Sequence, residues 1–65
     1  MKRIYYKGSK YLIPNDFKYI AMDKNGSVWC YENKPIKQGS GYFAQGNKLL
    51  CDRTGYDWEN SLEKV

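Results

Sequence analysis

The sequence predicts a mainly β fold: a small antiparallel sheet or partly open barrel of three hairpins, in one domain over residues 1–65, with a short C-terminal helical turn. Three observations predict it. Short apolar and aromatic runs are separated by turns rich in Gly, Asn and Asp. Within the runs, side chains alternate in character with the period of a strand. Aromatics are abundant, with seven Tyr, two Trp and two Phe among 65 residues. A chain this short cannot bury a large aliphatic core, and rings bury much area at low entropy cost.

The first hairpin runs over residues 1–14. Ile4–Lys7 and Lys10–Ile13 flank Gly8-Ser9, which suits a two-residue loop of the type II′ kind. That loop pairs Lys7 with Lys10, Tyr6 with Tyr11, Tyr5 with Leu12 and Ile4 with Ile13. Ile4, Tyr6, Tyr11 and Ile13 form the core face. Arg3, Tyr5, Lys7, Lys10 and Leu12 form the other. Lys7 opposite Lys10 costs a little by repulsion. Lysines on an outer strand also deter edge-to-edge aggregation. Pro14-Asn15-Asp16 then breaks the strand, and Phe17 tucks under the sheet.

The central hairpin, Lys18–Tyr31, is the best-specified stretch. Asp23 suits the start of a type I turn and Gly26 its end. With Lys24–Gly26 as the loop, Tyr19 faces Tyr31, Ile20 faces Cys30, Ala21 faces Trp29 and Met22 faces Val28. One face then carries Ile20, Met22, Val28 and Cys30, and reads as core. The other carries Tyr19, Ala21, Trp29 and Tyr31, which suit either packing or contact.

Residues 32–41 hold Pro, two Gly and Ser, and read as a long loop of the kind that often carries binding. The third hairpin expected is Tyr42–Gln45 with Lys48–Cys51 around Gly46-Asn47. Its alternation is weaker, because both faces hold apolar residues. Asp52–Gly55 reads as a turn. In the tail, Trp58, Leu62 and Val65 share one helical face, Asp57 can cap it, and Lys64 suits its end. A final strand is the alternative, and in either case Trp58 is the anchor.

The net charge is +4, divided as +6 over residues 1–51 and −2 over residues 52–65. A basic body suits an acidic partner, protein or nucleic acid, although a charge of this size is also ordinary for a soluble domain. It excludes an acidic mimic of duplex DNA. No stretch has the makeup of a signal peptide or a membrane span, so the expected setting is the cytoplasm, without membrane attachment. Cys30 and Cys51 are then reduced and act as small hydrophobes, with a cross-strand disulfide as the competing reading. Two cysteines without any histidine do not make an ordinary zinc site, and no metal or other cofactor is expected.

Catalysis by a histidine base is excluded, since the chain has none. No phosphate-binding Gly loop and no carboxylate pair is marked by spacing. The expectation is a protein that is not an enzyme. Lysines interleaved with aromatics on strands do suit contact with a partner. The candidates are Tyr19, Trp29 and Tyr31 on the central hairpin, Lys34 and Lys37 in the following loop, and Tyr5 with Lys7 and Lys10. Asp23, Gly26, Ile20, Met22, Val28, Cys30, Trp58 and Leu62 are assigned to folding.

Tyr5-Tyr6-Lys7-Gly8, Pro14, Tyr19–Gly26, Tyr31–Pro35 and Asp57–Leu62 form a spaced pattern. In it the chain resembles small uncharacterised bacteriophage accessory proteins, over most of its length except residues 36–55. The resemblance brings no active residues. It implies a protein made during infection that binds a host protein or defence complex and blocks it. Direct binding of single-stranded nucleic acid and self-association into a structural component are the alternative expectations.

Overall fold

The computed structural model describes residues 1–53 and 57–65. Over these described residues the fold is mainly β and antiparallel, with one short 3-10 turn and no closed barrel. Among the described residues eight strands follow in order: β1 (Lys2–Tyr6), β2 (Ser9–Ile13), β3 (Tyr19–Met22), β4 (Ser27–Tyr31), β5 (Ile36–Gln38), β6 (Gly41–Phe43), β7 (Asn47–Asp52) and β8 (Glu63–Lys64). They make a four-stranded sheet ordered β7-β4-β3-β8 and two hairpins, β1-β2 and β5-β6. No helix among the described residues is long and apolar enough to cross a membrane.

The central hairpin forms in the expected register, from Tyr19↔Tyr31 to Met22↔Val28. The Gly26 N–H closes the turn on the Asp23 carbonyl at 2.9 Å. Gly26 is required twice over. Its φ is +93°, and a Cβ there would collide with the carbonyl of Arg53, where β7 passes. Asp23 does more than turn the chain. Its carboxylate accepts the Tyr42 N–H at 3.0 Å and so holds β6.

The first hairpin forms with a different turn. Tyr6 pairs with Ser9, Tyr5 with Lys10, Ile4 with Tyr11 and Arg3 with Leu12. The loop is Lys7-Gly8, with φ of +49° and +80°. Positive φ at both central positions is the type I′ pattern, which matches strand twist. A lysine at positive φ costs about 1–2 kcal/mol. In return the expected Lys7–Lys10 repulsion disappears, and Lys7 reaches Glu63 at 3.7 Å. Each partner moved by two residues, so the faces did not exchange. Ile4, Tyr6 and Ile13 are buried as expected, and Tyr11 packs against them.

The third hairpin is a correction. β6 pairs with β5, through Ile36↔Phe43 and Lys37↔Tyr42, so residues 32–41 are not simply a loop. β7 pairs with β4 instead of with residues 42–45. Two local facts explain it. Gly39 takes φ +58° and makes its own two-residue turn with Ser40. The β4 edge, meanwhile, offers five positions to pair. The register of β7 slips between Val28 and Trp29, leaving Leu50 as the extra residue of a bulge. Leu50 and Cys51 then both pack against the core, which is why apolar residues stood on both expected faces.

The tail is also corrected. Trp58–Asn60 is a 3-10 turn, capped by Asp57 as expected. The chain then extends as β8, so Leu62 and Val65 do not continue a helical face, and Lys64 pairs in a strand. β8 adds to β3 through Ile20↔Glu63 and Tyr19↔Lys64. In the expected turn at residues 52–55, Asp52 closes β7; Thr54 and Gly55 lie outside the described residues.

The core lies between the β1-β2 hairpin and the aliphatic face of the four-stranded sheet. Ile4, Tyr6 and Ile13 meet Ile20, Met22, Val28 and Cys30, with Phe17, Trp58 and Val65 at the margin. Each fully buried large side chain contributes roughly 1.5–3 kcal/mol. Continuing the β3-β8 register by two residues sets Ser61 opposite Met22. There a side chain replaces the ladder. The Met22 N–H donates to Ser61 Oγ at 2.9 Å, and the hydroxyl proton has the Trp58 carbonyl at 2.7 Å and the Met22 carbonyl at 3.2 Å in reach. Ser61 is the buried polar residue of the core.

Ser61→Ala therefore leaves a buried Met22 N–H without an acceptor, at a cost of about 1–3 kcal/mol. In a domain of this size we expect Tm to fall by at least about 4 °C in thermal unfolding followed by circular dichroism; a Tm equal to that of the parent would exclude the assignment. The cysteines are both free, with Cys30 buried and Cys51 half-buried. Burial raises the Cys30 thiol pKa. Titration with a thiol reagent should modify Cys51 in the native protein, and Cys30 only after denaturant is added.

Candidate functional site

The expected contact residues do not form one site. Tyr31 is a clear correction: it is 1% exposed and cannot meet a partner. Its hydroxyl donates to the Tyr42 carbonyl at 3.4 Å, so the β5-β6 hairpin lies over it. Tyr19 and Trp29 share its sheet face and are half-buried. Lys7 sits in its turn, ion-paired with Glu63, with its ammonium 5.3 Å from the Tyr6 ring centre. Lys34 and Lys37 are exposed. They flank a groove beside the C-terminal turn, away from Tyr5 and Lys10.

Tyr5 and Lys10 do come together, and with more company than expected. Alternation along β1 and β2 turns Arg3, Tyr5, Lys10 and Leu12 to the outer face of the hairpin. The pairs are Tyr5↔Lys10 and Arg3↔Leu12. Both are the non-hydrogen-bonded kind, in which side chains stand closest. The apolar pair Tyr5 and Leu12 and the cationic pair Arg3 and Lys10 therefore lie on the two diagonals of a two-by-two patch. Tyr5 is 68% exposed and Leu12 59%, and Met1 extends the same face. Arg3 and Lys10 are exposed, without an ion pair among the described residues. No carboxylate belongs to the face.

Arg3 and Leu12 carried a legible signal. The same alternation that placed Tyr5 on the outer face placed them there. What the sequence did not show was that the aromatic face of the central hairpin is covered as well, burying Ala21 and Tyr31. The β1-β2 outer face and the aromatic face of the four-stranded sheet look to opposite sides of the molecule. Trp29 and Tyr19 therefore cannot add rings to the patch around Tyr5. On their own side, Leu49 pairs with Trp29 and is 51% exposed.

What this surface can do chemically is bind. An apolar ring, an aliphatic side chain and two unpaired cations suit a surface that presents carboxylates among apolar residues. Among the described residues, no group of three or more Cys, Asp and Glu gathers to hold a metal ion.

The buried tyrosines make a pH prediction. Burial pushes Tyr6 up to about 12. Burial, reinforced by the charge of Asp23, raises Tyr31 well above the ordinary tyrosine value. An unfolded tyrosine ionises near pH 10. Above that pH the unfolded chain releases phenolic protons that the folded chain keeps, so stability falls as pH rises. The buried tyrosines therefore contribute no pH dependence below about pH 9, and we expect their ionisation in the unfolded chain to lower stability as pH rises from 10 to about 12. Tyr6→Phe should flatten part of that drop in denaturant titrations. Comparison of the chain with protein-family models, curated proteins and solved structures finds no match.

Proposed function

We propose that the chain is a non-enzymatic binding protein that blocks a partner protein by covering part of its surface with the outer face of the β1-β2 hairpin. One observation carries this reading. Met1, Tyr5 and Leu12 stand in solvent on one strand face, with Arg3 and Lys10 among them and no acid. Grouped exposed apolar side chains mark interaction surfaces, whereas scattered ones do not. Tyr and Arg are also the residue types that dominate binding energy at interfaces. The resemblance to small bacteriophage accessory proteins supplies the setting. The partner would be a host protein or defence complex in the bacterial cytoplasm, and occlusion would inhibit it.

Direct binding of single-stranded nucleic acid is the less supported reading. Such platforms stack successive bases on neighbouring rings. This face offers one ring, Tyr5, while Tyr19 and Trp29 lie on the other side.

The test uses tagged protein on a bacterial lysate, with quantitative readout of the retained host proteins. We expect one protein to be enriched, and Tyr5→Ala or Arg3→Glu to lower its retention by roughly tenfold while circular dichroism stays unchanged. Retention unaffected by Tyr5→Ala, Leu12→Ala and Arg3→Glu would remove this face. Salt-sensitive binding to generic oligonucleotides, lost in Arg3→Glu, would replace the protein partner with nucleic acid.

A further inference from the structure

We infer a second binding site, for a short acidic peptide segment with an apolar anchor, in the groove between β5 and the C-terminal turn. It is independent of the β1-β2 face and would make the protein bivalent. The groove is open, with a volume of about 470 Å³. Lys34, Ile36 and Lys37 line one wall, and Glu59 and Leu62 the other.

Tyr42 fixes the walls relative to each other. It pairs with Lys37 across the hairpin. Its hydroxyl reaches the Trp58 carbonyl at 3.2 Å and the Glu59 carbonyl at 3.1 Å. The groove is thus preformed, which spares an incoming segment the cost of ordering it. Its apolar part is incomplete without an occupant. Ile36 is 67% exposed at the rim, and Leu62 is half-buried.

Charge selects the occupant. Lys34 has no hydrogen bond or ion pair among the described residues. Lys37 is held across the groove by Glu59, at 3.8 Å, with side chains 47% and 61% exposed. An ion pair that exposed contributes little and is readily exchanged. A carboxylate on the occupant can displace Glu59 from Lys37, or bind Lys34 directly. A cationic segment would find two ammonium groups against one carboxylate. The anchor packs against Ile36, Tyr42 and Leu62. Glu59 then acts as an internal competitor, so removing its charge should improve binding, whereas removing Lys34 should weaken it.

The test is an amide NMR titration of the labelled full chain with three synthetic peptides. One is acidic with an apolar centre (acetyl-Glu-Asp-Leu-Phe-Asp-Glu-amide). One keeps the acids with a Gly-Ser centre, and one keeps the apolar centre with lysines as flanks. We expect saturable shifts only with the first, centred on residues 34–37, 42 and 58–62. Lys34→Gln should weaken it about 2–5-fold and Glu59→Gln tighten it by a similar factor, the range for one exposed charge. Both effects should shrink in 1 M salt, where the screening length is about 3 Å. Tyr5→Ala should leave the titration unchanged, which separates this site from the β1-β2 face. No saturation at millimolar peptide would overturn the inference. Equal binding of the lysine-flanked peptide, shifts centred elsewhere, or Lys34→Gln and Glu59→Gln acting in the same direction would overturn it as well.

Discussion

One small turn bonds to all three sheets. The three sheets share no ladder with one another, and residues 58–61 tie them. From the β1-β2 hairpin, the Tyr6 hydroxyl donates to the Ser61 carbonyl at 2.6 Å. From the four-stranded sheet, the Met22 N–H donates to the Ser61 hydroxyl. From the β5-β6 hairpin, the Tyr42 hydroxyl reaches the Trp58 and Glu59 carbonyls. Each such bond contributes only about 0.5–1.5 kcal/mol net, but leaving a buried partner unmade costs about 1–3. That asymmetry makes the turn a condition for docking rather than an ornament on it. A 65-residue chain whose two cysteines are free needs such ties, because its core alone is small.

The tyrosines serve this purpose through their two-part chemistry. Tyr6 and Tyr31 are each 1% exposed, and each buries a ring while placing a hydroxyl on a distant carbonyl. Phenylalanine would supply the ring area and lose the tie. This explains why so short a chain is richer in Tyr than in Phe. It also explains why the aromatic face of the central hairpin is not a free platform. Ala21 and Tyr31 are buried there as fully as the aliphatic residues opposite. β3 and β4 are therefore interior on both sides, and contact chemistry moves to the periphery.

Local pattern made the central hairpin legible, because its turn residues and its alternation agree on one register. The first hairpin was legible in its faces and not in its turn. Gly8 could serve as the first or second residue of a two-residue loop, and both choices bury Ile4, Tyr6 and Ile13. The pairing of β7 with β4 was not legible, since a bulge at Leu50 breaks the alternation that would have revealed it. Local pattern gave Ser61 no structural role. One serine in a polar tail becomes structural only when β8 aligns it with Met22, a contact 39 residues away along the chain. Among the contact candidates, the exposure of Tyr5 and Lys10 was legible because a two-stranded sheet has only one covered face. Tyr31 was misplaced because its strand has two.

Charge placement follows from the same economy of contacts. The last 14 residues carry a net −2, yet their acids are occupied by the fold. Asp52 accepts from the Ser27 hydroxyl at 3.0 Å, Asp57 caps the 3-10 turn, and Glu59 and Glu63 pair with Lys37 and Lys7. At physiological ionic strength, charges farther apart than about 8 Å are largely screened from each other. Among the described residues none of these acids pairs with Arg3 or Lys10, so what a partner meets on the outer face of β1-β2 is those two cations rather than the net charge of the chain. The tail's carboxylates are engaged elsewhere in the fold, so the contacts that complete it also leave the outer face of β1-β2 positive.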